Sequence, residues 1–111
     1  MKGSIVSILP DGTTTEFQVD GPPQLEILRS AVGGGYIEVV PYLDTVGIKG
    51  EVHKCVAFCD DEGKMKRLPY NNRANDLWSK ALQAQGLRQT GDFLVGPIAI
   101  VFGDKEFMDE L

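Results

Sequence analysis

The sequence predicts an α+β fold with a mostly antiparallel, twisted sheet of about five or six strands and two helices. Short β-branched segments recur along the chain between Gly, Pro and Asp residues, and two longer segments show helical spacing of apolar residues. The chain has 111 residues, of which 42% are hydrophobic and 24% charged. These values indicate one globular domain spanning residues 1–111.

The first predicted element is a β-hairpin. Residues 3–9 (GSIVSIL) are apolar and β-branched, which is typical of a strand. Residues 10–12 (PDG) favour a tight turn, because proline presets φ and glycine accepts positive φ. Residues 13–19 (TTTEFQV) then alternate in polarity, so we expect them to pair back on the first strand.

A short helix is predicted within residues 20–35, with Pro23 in its first turn. Its apolar stripe consists of Leu25, Leu28 and Val32. Gly33–Gly35 follow this helix and precede a strand, whereas a phosphate-binding glycine loop lies between a strand and the next helix. We therefore interpret these glycines as the C-terminal cap of the helix.

The middle of the chain predicts two further strands. Residues 36–43 (YIEVVPYL) and 53–60 (HKCVAFCD) have strand composition, and residues 44–52 favour a loop or a weak strand. Residues 61–63 (DEG) predict a turn that leads into residues 64–68.

The last third of the sequence predicts the longest helix and an interior strand. Apolar spacing in residues 71–85 indicates the helix, and residues 92–103 (DFLVGPIAIVFG) indicate the strand. We expect the two helices to cover one face of the sheet. The acidic tail, residues 104–111, is expected either to fray or to dock Phe107 and Leu111 on the core.

Charge argues against a nucleic-acid partner. The net charge is −5, so the chain has no broad basic footprint for a duplex. Residues 64–88 nevertheless contain six basic residues and one acidic residue, while the remainder contains five basic and fifteen acidic ones. This contrast indicates either a focused anion site or a solvated helix face with its approach loop.

Targeting signals do not stand out in the sequence. No apolar run approaches the ~18 residues that a membrane span needs, and the N-terminus lacks the features of a signal peptide. We therefore expect a cytoplasmic protein without a membrane partner.

His53, Cys55 and Cys59 form an H-x-C-x-x-x-C pattern on one predicted strand. A structural zinc site usually has four ligands and a tight C-x-x-C turn, and the strand spacing is too long for a disulfide. We interpret both cysteines as buried core thiols and predict no metal and no cofactor.

Catalytic motifs are equally sparse, so we expect the protein not to be an enzyme. His53 has no serine or cysteine elbow near it in the sequence. Asp60 and Asp61 fall at a predicted hairpin turn, where aspartate is favoured for conformational reasons.

The segment LPYNNRANDLW, residues 68–78, is the candidate ligand site. One asparagine suffices to cap a helix, yet several further polar and aromatic residues surround this helix start. Helix N–H groups and a guanidinium suit phosphate, amides suit ribose or a base edge, and an aromatic ring suits base stacking. The predicted ligand-binding residues are Tyr70, Asn71, Asn72, Arg73, Asn75 and Trp78. In the alternative interpretation one Asn caps, Trp78 belongs to the core and Arg73 is solvated.

Three blocks of the sequence, VGGGYIEVVPYL, CVAFCDDEGKMKRLPYNNRANDLW and DFLVGPIAIVFG, resemble a family of small phage and mobile-element proteins. That family has a G-G-Y-I-E-V-V core, an E-G-K turn and an L-P-x-N-x-x-A helix start, and the resemblance covers roughly residues 30–103. The chain departs from the pattern by having three glycines before Tyr36 where the family has two. The architecture is also similar to phage sponge proteins that oppose Thoeris immunity.

The sponge resemblance implies a function. Such proteins bind cyclic ADP-ribose isomers, or cyclic oligonucleotides, without cleaving them, and they work as oligomers. We therefore expect a phage anti-defence protein that sequesters a small signalling nucleotide in the bacterial host cell. We also expect a homodimer or larger homo-oligomer, because a small sheet with few covering helices leaves apolar surface to bury. The alternative is an acidic inhibitor that blocks a host or CRISPR protein.

Overall fold

The computed structural model describes residues 1–89 and 91–111. The strands are β1 (Lys2–Ile8), β2 (Thr14–Asp20), β3 (Ile37–Val39), β4 (Thr45–Ile48), β5 (Glu51–Lys54), β6 (Val56–Asp60) and β7 (Ile98–Gly103). The helices are α1 (Leu25–Ala31), α2 (Asn72–Ala84) and α3 (Lys105–Asp109). The predicted α+β class with antiparallel pairing is confirmed.

Five strands form the main sheet in the order β2-β1-β7-β6-β3. The predicted hairpin is confirmed: β1 and β2 pair along seven positions, from Lys2 opposite Asp20 to Ile8 opposite Thr14. The last strand is interior, as its apolar sequence predicts, because β7 lies between β1 and β6.

The two faces of the sheet are covered by different helices. Alternate residues of β1 point to opposite faces, so Val6 packs in one core with Trp78 of α2, and Ile5 packs in a second core with Leu28 of α1. The prediction that both helices share one face was therefore wrong. Each interior strand has buried residues on both faces of the sheet, so both faces must be covered by helices or loops.

Helix α1 is shorter than the sequence suggested. Gln24 is its N-cap, so Pro23 precedes the helix, and Leu25 is 52% exposed instead of lying on the buried stripe. The predicted glycine cap is present: the N–H groups of Gly33 and Gly34 donate to the carbonyls of Ser30 and Arg29, and both glycines have positive φ.

Residues 44–60 differ from the prediction. The expected loop or weak strand is β4, which forms a separate hairpin with β5 through a tight turn at Lys49 and Gly50. The single strand predicted over residues 53–60 is divided at Cys55, because β5 belongs to this hairpin and β6 to the main sheet. The hairpin packs on the α2 side of the sheet through Val46.

The segment before β7 is irregular. Strand geometry was expected from residue 92, but β7 begins at Ile98, and in residues 92–97 only Val95 forms a bridge, with Tyr70. Gly96 has φ of +71° and Pro97 lacks an N–H donor, so the ladder cannot extend through them.

The C-terminal segment forms α3. The Phe107 ring is fully buried and fills the space beside Gly3 and Gly103, where a Cβ atom on either glycine would overlap it. Leu111 is 38% exposed. None of the helices in residues 1–89 and 91–111 has the length and hydrophobicity needed to span a membrane.

Candidate functional site

Asn71 holds the start of α2 in place. Its Oδ1 accepts the N–H of Ala74 at 3.0 Å, so Asn71 is the asparagine that caps the helix. Its Nδ2 donates to the carbonyl oxygens of Ile8 and Gly96, both at 2.9 Å. The side chain is 0% exposed, and these three bonds use its donors and its oxygen within the protein.

Asn75 has a similar structural task one turn later. Its Nδ2 donates to the carbonyls of Asn71 and Leu94, each at 2.8 Å, and its Oδ1 accepts the N–H of Leu94 at 2.9 Å. It is 3% exposed. Asn75 therefore supplies the backbone partners that the irregular segment before β7 cannot obtain from a strand ladder.

The remaining predicted residues point in different directions. Trp78 is 4% exposed, and its Nε1 donates to the carbonyl of Pro41 at 2.8 Å. Tyr70 is half exposed beside Phe93, with the ring centroids 5.9 Å apart. Asn72 is exposed at the first position of α2.

The structure therefore does not bring the six predicted residues into one site. Asn71, Asn75 and Trp78 are corrected from ligand contacts to parts of the core, because their side chains are buried and their polar atoms are already bonded inside the protein. Asn75, which is surplus to capping, bonds to the backbone of Leu94, 19 residues away.

Arg73 lines a cleft of about 280 Å³, which we call the basic cleft. The cleft lies on the α2 side of the sheet, between the first turns of α2, strand β2 and the β4–β5 hairpin. Its apolar lining is formed by Val6, Ile8, Val46, Ile48, Leu77 and Ile100. Its polar lining is formed by Thr14, Glu16, Lys49 and Arg73, with Gly47 completing the wall.

Two cations and one carboxylate face this cleft. Arg73 donates one Nη1–H to the carbonyl of Gly12 at 3.1 Å, which leaves most of the five guanidinium donors for other acceptors. The Lys49 Nζ lies 3.9 Å from the Glu16 carboxylate, and the Lys49 side chain is 84% exposed.

A smaller cavity of about 100 Å³ lies near β3 and has the opposite charge. Its charged lining is Glu38, Asp60, Asp61, Lys64 and Asp92. Desolvation raises the pKa of Glu38, and the hydrogen bond and negative charge of Asp61 add to this shift. An ion pair with Lys64 lowers the pKa of Asp92. The sign of its charge and its small volume make this cavity unsuitable for a nucleotide.

Asp60 is a structural carboxylate. It is 8% exposed, accepts from Lys66 Nζ at 2.7 Å and accepts from the backbone N–H of Glu62. Burial raises its pKa, but these hydrogen bonds outweigh burial and lower it overall. A hairpin turn was predicted at Asp60 and Asp61. In the described residues, β6 ends at Asp60, and residues 61–67 form consecutive turns that no returning strand follows.

His53, Cys55 and Cys59 occupy three different settings. His53 lies in β5 and stacks on Phe102 with centroids 4.4 Å apart, Cys55 is buried between two strands, and Cys59 is half-buried in β6. Burial raises the pKa of Cys55 to about 12 and that of Cys59 to about 11. Within residues 1–89 and 91–111, no three His, Cys, Asp or Glu side chains are grouped to hold a metal ion.

Sequence reasoning missed Lys49, Glu16 and Thr14. The signal for Lys49 was Gly50, which follows the β-branched segment 45–48 (TVGI), because two-residue hairpin turns favour glycine at their centre. Glu16 and Thr14 lie on the strand face that alternation assigns to one side. Which side α2 covers depends on the tertiary fold.

Comparisons with known proteins identify a family. A family model described as "Domain of unknown function (DUF3846)" matches residues 1–110. No curated protein and no solved structure matches the chain.

Proposed function

We propose that this chain, which belongs to the DUF3846 family of domains of unknown function, binds a small phosphorylated nucleotide in the basic cleft and holds it without cleaving it. One observation carries the proposal: Arg73 and Lys49 face the same cleft above an apolar floor. A phosphate needs the cations, and a base or ribose ring needs the apolar surface.

The charges of the cleft favour an anion with modest charge. Arg73 and Lys49 contribute two positive charges, and Glu16 removes one of them. The guanidinium suits two phosphate oxygens at once, and the ammonium group can move towards a ligand because its side chain is highly exposed. Thr14 supplies a hydroxyl acceptor for a ribose hydroxyl group or a base amino group.

The buried asparagines support this site indirectly. Asn71 fixes the first turn of α2 to the end of β1 and to Gly96, and this turn carries Arg73. A guanidinium on a fixed helix turn loses less conformational freedom on binding than one on a loop.

Binding without cleavage suits the chemistry of the lining. Phosphoester hydrolysis needs a positioned nucleophile and a base that activates it. Glu16 faces Lys49 across 3.9 Å, so its carboxylate is already engaged with a cation.

The proposed biological role is sequestration of an immune signalling nucleotide, a cyclic ADP-ribose isomer or a cyclic oligonucleotide. The protein would act as a phage-encoded anti-defence protein, in the cytoplasm of the bacterial host and as a homo-oligomer. The similarity of the architecture to phage sponge proteins supports this role, and the volume of the cleft, about 280 Å³, suits one nucleotide unit at a time.

A thermal-shift screen tests the proposal with cyclic ADP-ribose isomers and cyclic di- and trinucleotides. A ligand at about 100 times its dissociation constant should stabilise the fold by about 2.7 kcal/mol. The shift should be largely lost in Arg73→Ala and kept in Lys80→Ala, which removes an exposed cation from the same helix outside the basic cleft. If no ligand shifts the wild type, or if both variants lose the shift equally, the proposal is wrong.

A second candidate function is an acidic inhibitor of a host protein. The observation that favours it is the repulsion between Glu38 and Asp61, which a basic partner group would relieve. Exposed Val39 and Phe93 lie at the same cavity and would add apolar contact area. Under this alternative, Asp61→Asn weakens capture of a host protein, whereas Arg73→Ala has no effect.

A further inference from the structure

Strand β2 is an outer strand of the main sheet, and its free edge is regular along its whole length. The ladder with β1 runs through seven consecutive pairs without a bulge. Its sequence, TTEFQVD, contains neither proline nor lysine, which natural proteins use to block outer strands. In the described residues, β2 pairs with β1 alone.

The hydrogen bonds at both ends of the β1–β2 ladder fix which groups face outward. Leu9 N–H donates to Thr13, and Gly21 N–H donates to Met1, so odd-numbered residues of β2 bond to β1. The even-numbered residues therefore direct their N–H and C=O groups to the free edge. These residues are Thr14, Glu16, Gln18 and Asp20.

The side chains along this edge are complementary to a second copy of the same edge in one register. In an antiparallel pair centred on Phe17, Glu16 lies opposite Gln18, Thr14 opposite Asp20, and Phe17 opposite Phe17. No two carboxylates then face each other. Centring on Glu16 places Glu16 opposite itself, and centring on Gln18 places Glu16 opposite Asp20, both of which are repulsive.

We infer that two copies of this chain pair through the free edges of β2, antiparallel and centred on Phe17, and join two five-stranded sheets into one continuous sheet. Phe17 is the middle residue of β2, so only a pair centred on it places all seven residues of β2 opposite the seven residues of β2 in the second copy. Phe17 is 39% exposed in the single chain, and pairing covers it with an identical ring.

The same register extends the basic cleft. Glu16 lines the cleft, and its counterpart across the two-fold axis is Gln18 of the partner subunit. Both side chains lie on the α2 face of the sheet, because residues 16 and 18 have the same parity. The partner subunit's Gln18 therefore lies beside Glu16 at the outer rim of the cleft. Within each chain the Gln18 amide donates to Glu16 Oε1 at 3.2 Å and accepts from Ser4 Oγ at 2.9 Å, so pairing brings two such bonded Glu16–Gln18 pairs together.

Cysteine crosslinking tests the register. Residue 17 and its copy form a non-hydrogen-bonded pair with Cα atoms about 4.5 Å apart, within the range that a disulfide bridges. Phe17→Cys should form a disulfide-linked dimer about a hundredfold faster than Thr15→Cys, because pairing raises the local thiol concentration to the millimolar range. Thr15 is offset from its own copy by four residues, roughly 13 Å.

A mixture of Thr15→Cys and Val19→Cys should crosslink between the two variants, since these positions face each other in the proposed register. Wild-type protein controls for Cys55 and Cys59, whose thiols have raised pKa values and react slowly. Circular dichroism confirms that the variants, all at partly or fully exposed positions, remain folded.

The mass in solution tests whether the chain forms an oligomer at all, and the mass of a Phe17 variant tests whether that oligomer uses the β2 edge. Light scattering of wild type at roughly 50 μM should give twice the 12.1 kDa of the chain. Phe17→Lys should give a single chain, because two ammonium groups would face each other. A wild-type monomer overturns both the oligomer and the interface. An oligomer in which Phe17→Cys and Thr15→Cys crosslink equally overturns the interface alone, and neither result decides ligand binding.

Discussion

The ammonium nitrogen of Lys49 lies 3.9 Å from the carboxylate of Glu16 at the basic cleft. This pair joins the tip of the β4–β5 hairpin to the outer strand of the main sheet. A bound phosphate competes with Glu16 for Lys49, so Glu16 sets how much negative charge the cleft accepts.

Glu16→Gln should therefore strengthen binding of an anionic nucleotide. An exposed ion pair contributes about 0.2–1 kcal/mol, so affinity should rise up to about fivefold. Titration calorimetry at low and high salt measures this effect, which should shrink as salt screens the charges. Weaker binding by Glu16→Gln would show that the carboxylate contacts the ligand instead of restraining Lys49.

Lys49→Asn should weaken nucleotide binding without lowering the stability of the fold. Lys49 has φ of +51° at the hairpin turn, a conformation that asparagine accepts more readily than lysine. The variant should bind the nucleotide about tenfold more weakly, since about 1.4 kcal/mol of charge-assisted contact is lost. Its melting temperature should stay equal or rise. Lys54→Asn, an exposed cation that does not line the cleft, is the matched control, and equal losses in both variants would contradict the assignment.

Asn71→Ala should destabilise the protein strongly. It removes the N-cap of α2 and leaves the buried carbonyls of Ile8 and Gly96 without their donor. The expected cost is about 2–4 kcal/mol of unfolding free energy, measured by urea denaturation. Asn72→Ala, one residue later and exposed, should change stability by less than about 0.5 kcal/mol. Similar costs for the two variants would mean that Asn71 is not the buried cap.

The raised pKa of Glu38 predicts that the stability of the fold depends on pH. Its pKa is raised in the folded chain, so the folded state holds the proton more tightly than the unfolded state. The resulting stabilisation is present below the unfolded pKa and is lost as pH rises through the folded pKa. Glu38→Gln should therefore melt above wild type at about pH 7, and this difference should shrink towards about pH 4.5. A difference independent of pH would exclude Glu38 as its source.

Local patterns predicted the parts of the fold that depend on neighbouring residues. The β1–β2 hairpin follows from the turn at 10–12 and from alternation, and the start of α2 follows from the asparagines at 71 and 72, one of which caps it. The interior position of β7 follows from its continuous apolar sequence. In each case, the physical cause lies within a few residues of the element.

The division at Cys55 and the roles of the asparagines depend on distant contacts. Asn71 donates to Ile8, which is 63 residues away, and to Gly96, which is 25 residues away. A sequence pattern shows that an extra amide is present but not which backbone group it pairs with. For the same reason the sequence identified Arg73 but not Lys49, since only the fold brings the hairpin tip to α2.

Nucleotide binding in the basic cleft can be observed residue by residue in solution. Nuclear magnetic resonance measures this most directly: backbone amide shifts are recorded while the nucleotide with the largest thermal shift is added. We expect the largest changes at 47–49 and 72–77, with little change in Arg73→Ala. Changes centred on Glu38, Asp61 and Phe93, or changes of equal size in the variant, would contradict the account.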